Sequence, residues 1–188
     1  MERKRRQRAI TTIVVVVVII AVVVSAVAFL PRSSNAVPLP AYLDHCVTGS
    51  LNYHSHPGLV ISINGANFPI PALIGIQSAC DRPIHTHPAS GGGSVFDGTL
   101  HVETDDNRDY TLGDFFLIWG NWANSKEFSI FNSTQIFNNK VDATHSLTVT
   151  VNNSQDSRFE NIPIPRDADP NNKPFSIVLT YGQAAATS

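Results

Sequence analysis

HSLTVTV, residues 145–151, decides the fold class. Leu147, Val149 and Val151 fall on one side of an extended chain, and Ser146, Thr148 and Thr150 on the other. That period of two predicts a strand with one buried face. Downstream, FSIVLTY (175–181) is rich in β-branched and aromatic residues and predicts a buried final strand. Upstream, LVISI (59–63) runs through Asn64-Gly65, a strong hairpin turn, into ANFPI (66–70). LNYHSH (51–56), PIHTH (83–87) and TLHVE (99–103) predict three more short strands.

One segment breaks the alternation. TLGDFFLIWG (111–120) sets Leu112, Phe115, Phe116 and Trp119 at helical spacing. Thr111 is placed to cap that helix, Asp114 stands at the capping-box position, and Gly120 is placed to end it. The four apolar side chains predict core contacts. Pro163, Pro165, Pro170 and Pro174 predict a long irregular connection before the last strand. The expected class is mostly β, a small β-sandwich or open barrel with one short helix, preceded by a single N-terminal transmembrane helix.

The composition fits a folded domain. The chain has 188 residues, 43% hydrophobic and 15% charged, with a formal net charge of −2. Such a chain is too apolar for a disordered tail, and it lacks the basicity that nucleic acid requires of a partner. The charge is uneven, however. MERKRRQR carries five of the 13 Lys and Arg, while Pro31 to Ser188 has eight Lys/Arg against 14 Asp/Glu, a net charge of −6.

Between these parts lies ITTIVVVVVIIAVVVSAVAFL, 21 residues without a charge. As a helix it would span ~31 Å, about one hydrocarbon core. The basic flank predicts a cytoplasmic N-terminus. The expected organisation is a cytoplasmic flank (1–9), a transmembrane anchor (10–30), a tether (31–41) and an extracytoplasmic β domain (42–188) of a single-pass cell-membrane protein. A cleaved signal peptide is the competing reading, with Ala26-Val27-Ala28 or Ser34-Asn35-Ala36 as the processing site. The apolar run exceeds the usual ~7–15 residues of such a signal, which favours the anchor.

Outside the cytoplasm Cys46 and Cys80 can pair, closing a 35-residue loop. The alternative is a thiolate metal site formed by Cys80 with His54 and His85. Asn132-Ser133-Thr134 and Asn152-Asn153-Ser154 are glycosylation sequons.

Six of the seven histidines lie between residues 45 and 101. His54-Ser55-His56, His85-Thr86-His87 and His101-Val102-Glu103 each place two potential ligands at i and i+2. On a strand such side chains share a face, ~7 Å apart along the backbone. Three such strands would converge His54, His56, His85, His87 and His101, with Glu103 as orienting carboxylate or base. Imidazole nitrogen suits Cu(II) and Zn(II). Met1 is the only methionine, so a Met-rich Cu(I) site is excluded. Asp105-Asp106-Asn107 reads as a turn rather than a calcium loop, and no Gly-x-Ser-x-Gly elbow occurs. His45, beside Cys46, and His145 are set aside. SGGGS (90–94) reads as a surface insertion or as a flap over the metal.

NYHSHPGLVISING, IPALIGI, CDRPIHTH, GTLHVE and YTLGDFFLIWG, in this order, resemble segments of a group of secreted or membrane-anchored proteins. These occur in archaea, ammonia-oxidising lineages among them, and in some bacteria. The resemblance spans roughly residues 43–122 and continues more weakly through the C-terminal strands. In the similar proteins an aspartate usually follows the second His-x-His, and the next loop is shorter. Here Pro88 follows, then SGGGS, so a carboxylate role at that position does not carry over. The resemblance implies that the motifs form one unit, and it implies no particular reaction; by analogy alone it favours copper.

The leading expectation is a membrane-tethered extracytoplasmic metal-binding protein with a Cu(II) or Zn(II) site. Its partners are the metal ion, the membrane and an unidentified envelope protein. The alternatives are a zinc-dependent hydrolase or hydratase of carbonic-anhydrase-like chemistry, and a structural envelope protein with incidental histidines.

Overall fold

A computed structural model describes residues 35–89 and 96–184 of the chain. The expected basic flank and transmembrane helix, the SGGGS stretch and the start of the tether lie outside the described residues. Seven strands precede the helix: β1 (Tyr53–Ser55), β2 (Gly58–Ile63), β3 (Ala66–Asn67), β4 (Ile76–Gln77), β5 (Cys80–Asp81), β6 (Ile84–Pro88) and β7 (Phe96–Thr104). The helix α1 (Leu112–Trp122) follows. After it come β8 (Phe131–Asn132), β9 (Gln135–Ile136), β10 (Asn139–Lys140), β11 (His145–Val151), β12 (Ser154–Gln155) and β13 (Ser176–Gln183). Among the described residues no helix is long and apolar enough to cross a membrane.

Eight strands form one sheet in the order β1-β7-β2-β13-β11-β12, with β6 on β7 and β3 on β2. The sheet curls into a half-barrel, and the class is mostly β with one helix, as the sequence predicts. The clean alternation of residues 145–151 becomes β11, with Leu147 and Val149 buried. Asn64 and Gly65 take the left-handed conformations (φ 53° and 80°) that a two-residue hairpin turn demands, joining β2 to β3. The expected strand 66–70 stops at Asn67, just before Pro69, which has no N–H to donate.

The helix starts as its sequence predicts. The Thr111 backbone N–H donates to the Asp114 carboxylate (2.9 Å), which also accepts from the Tyr42 hydroxyl (2.9 Å). Its end differs from expectation: Gly120 lies inside the helix. Ser125 N–H donates back to the Gly120 carbonyl and Asn124 N–H to that of Asn121, around Asn124 at φ 51°. That is a Schellman stop with asparagine in the left-handed position. Gly120 has another reason to be glycine, since a Cβ there would stand 2.6 Å from the Ser129 side chain.

Leu112, Phe115, Phe116 and Trp119 are buried and join Leu59, Ile61, Leu100, Val102, Ile177 and Leu179 in one core cluster. The aromatic stripe of the helix is core. The proline-bearing segment runs along β1, where the Ser55 hydroxyl donates to the Pro165 carbonyl and accepts from Ala168 N–H. Within the segment read as a tether, the Val37 carbonyl accepts from Asn121 (2.8 Å) and Leu39 packs on the core.

Candidate metal centre

Strand β7 carries the site. Its burial alternates: Leu100, Val102 and Thr104 are buried, while His101 and Glu103 are partly exposed on the other face. Antiparallel pairing puts His85 of β6 directly opposite His101, and His54 of β1 directly opposite Glu103. Residues opposed in this way project to the same face. Hence three strands bring His54, His85, His101 and Glu103 together.

His56 and His87 reach the same place less regularly. β1 ends at Ser55, because His56 N–H donates to the Ala168 carbonyl (2.7 Å) rather than to a sheet partner. The β6–β7 register shifts between Thr86 and Pro88, at His87. The rings nonetheless pack together. The His56 ring centroid is 4.2 Å from that of His54 and 4.7 Å from that of His101, and the His87 centroid is 4.3 Å from that of His101.

Two triads result: His54, His56 and His101, and His85, His87 and His101. Within each, the potential ligand atoms all lie within 4.8 Å of one another. Three nitrogens ~2.1 Å from one ion stand ~3.4 Å apart in a tetrahedral site, so modest ring rotations suffice to close either triad. The Nε2 atoms of His85 and His87 are already 3.1 Å apart.

Hydrogen bonds set the tautomers. His85 Nδ1 lies 2.9 Å from the Arg82 carbonyl, which can only accept, so Nδ1 carries the proton and Nε2 the lone pair. His87 Nε2 is then the donor in the Nε2–Nε2 contact. His54 Nε2 lies 2.8 Å from Glu103 Oε1, which leaves Nδ1 as its lone-pair nitrogen. The nitrogens of His101 are only loosely engaged, Nδ1 3.8 Å from Glu103 and Nε2 3.6 Å from Asp97.

Electrostatics keep much of the cluster neutral. Burial, then the neighbouring His87, His56 and His85, push His101 down to about 4. Burial lowers His85 against the pull of the Arg82 carbonyl, and burial with His54 lowers His56. A neutral imidazole keeps the lone pair that a metal needs.

The support beneath His85 is stapled. Cys46 and Cys80 form a disulfide, so the alternative of a Cys80 thiolate ligand is set aside. Val47 N–H donates to the Asp81 carbonyl (2.9 Å), and Arg82 pairs with Asp44 (2.7 Å). Gly75 (φ 77°) lies against the same strand, where a Cβ would stand 2.6 Å from the Ile84 carbonyl and 3.2 Å from His85 Cβ.

Sequence reasoning missed the Arg82 carbonyl and Asp97. The first is a backbone group with no residue signature. The second lies four residues before His101, a separation that a regular strand would not turn into a contact; between them Gly98 takes φ 92° inside β7 and the β6–β7 register shifts. His45 and His145 take separate carboxylate neighbours, Asp105 and Asp142. Comparison with known proteins gives no match to a family model, a curated protein or a solved structure.

Proposed function

We propose that the chain is a membrane-tethered, extracytoplasmic protein that binds a divalent transition metal, Cu(II) or Zn(II), through His54, His56, His85, His87 and His101. One observation carries the reading: five imidazoles meet beside one sheet as two triads sharing His101. Incidental surface histidines have no reason to share a face, to hold fixed tautomers or to abut two carboxylates. Nitrogen donors beside carboxylates suit Cu(II) and Zn(II), and a calcium site would want more oxygen. The apolar run 10–30 and the Cys46–Cys80 disulfide support placement outside the cytoplasm.

The test is metal content. The full chain, disulfide formed and held in detergent, is dialysed against trace Cu(II) and Zn(II) and analysed by mass spectrometry. The expected result is one tightly held equivalent in the wild type and none in His101→Ala. A wild-type chain that retains no more metal than the dialysis buffer would sink the reading.

The inner triad favours a second reading. His85, His87 and His101 offer three imidazoles, the number that leaves zinc an open position for water, and Glu103 lies nearby as a base. Zinc-dependent ester hydrolysis or CO2 hydration, lost in His101→Ala, would support it. A zinc-loaded chain without turnover leaves binding alone.

A further inference from the structure

The five histidines are not equivalent. The His54 side chain is 46% exposed and the His101 side chain 18%, while His85 is 1% exposed. His56 and His87 are half-buried. The cluster therefore runs from solvent into the protein, and His101, common to both triads, stands between the outer pair and the inner pair.

A neutral imidazole has one lone pair, so His101 serves one ion at a time. We infer that the two triads are successive seats for a single ion, and that His101 passes it between them. This rests on the metal-binding reading above. The outer seat is His54, His56 and His101, with the Glu103 carboxylate beside it to draw in a cation. The inner seat is His85, His87 and His101.

Transfer exchanges ligands without electrons. The bonds from the ion to His54 and His56 break, bonds to His87 Nε2 and His85 Nε2 form, and the bond to His101 persists. The His87 proton moves from Nε2 to Nδ1 through solvent, so the proton count is unchanged. His85 is preset for this, because the Arg82 carbonyl holds its proton on Nδ1. The outer seat governs how fast an ion arrives and leaves, and the inner seat governs how firmly it stays.

The test separates rate from affinity in the full chain at fixed pH, with Cu(II) salt as the probe and EDTA as the competitor. In His54→Ala/His56→Ala, loading and stripping both slow about tenfold, and affinity falls by less than it does in the inner variant. In His85→Ala/His87→Ala, stripping is faster and affinity falls at least about tenfold. Because His85 is buried, His87→Ala alone serves as a second inner variant, with the same direction expected.

An outer variant that exchanges Cu(II) at the wild-type rate would overturn the relay. So would an outer variant whose affinity falls as far as the inner one's, which would mean a single five-histidine site. Two Cu(II) held per wild-type chain would overturn it in favour of a binuclear site. Each of these leaves metal binding standing, whereas a wild-type chain that holds no Cu(II) removes the parent reading as well.

Discussion

The two faces of β6, β7 and β1 divide the work of the molecule. On one face Ile84, Thr86, Leu100, Val102, Tyr53 and Ser55 are closed into the core. On the other stand His54, His85, His101 and Glu103. Adjacent residues of one strand thus belong to different environments, and the period of two keeps them apart. If the histidine face binds metal as proposed, single substitutions should separate stability from ligand chemistry, although the residues concerned are neighbours in sequence.

The largest expected effect tests the closed face. Leu100→Ala should cost about 2–5 kcal/mol in denaturant unfolding, because Leu100 is fully buried and its loss leaves a cavity. Metal content per folded chain should not change. If metal is lost in proportion to stability, the faces are coupled and the comparison fails.

The next tests the open face. Metal at 100 times its dissociation constant should stabilise the chain by about 2.7 kcal/mol, and His101→Ala should abolish that increment. Thermal melts with and without Cu(II) measure it. A smaller effect comes from Gly75, which lies against both Ile84 and His85. Gly75→Ala forces a side chain into the left-handed region and against the Ile84 carbonyl, at a cost of about 1–2 kcal/mol from the backbone alone. It should also weaken metal binding by displacing His85, so this variant should change both readouts.

The last is a pH slope. In the metal-free chain His101 sits at about 4, below its ordinary value near 6.5. Between those values the unfolded chain binds a proton that the folded chain does not. Stability is therefore full above pH 6.5 and falls as the pH drops towards 4. His85 and His56, lowered in the same direction, add to the slope. His101→Asn should flatten it; an unchanged slope would place its origin elsewhere.

Much of this was legible in the sequence, and the unread parts share a cause. β11 and the start of α1 follow from local alternation and from Thr111 with Asp114. The histidine pool follows from i, i+2 spacing. The register that sets His85 against His101 does not, because core residues on the opposite face fix it through long-range pairing. Gly120 misled for the same reason: a helix-ending glycine and a close-contact glycine look alike until Ser129 is beside it. The two-residue ribbons β4–β5 and β8–β10 are too short to carry any period.

The position of β13 has a consequence for the order of synthesis. It is the last strand of the sheet in the chain, yet it lies between β2, with which it pairs in parallel, and β11. Residues 58–63 can pair with β3 and β7 early, but their parallel partner on the other side, 176–183, comes last. A nascent chain halted before Ser176 leaves β2 and β11 with open edges facing each other, which is the state most prone to pairing with another copy. The join between the β1–β7–β2 half of the sheet and the β11–β12 half is therefore the last to close, because a single strand makes it.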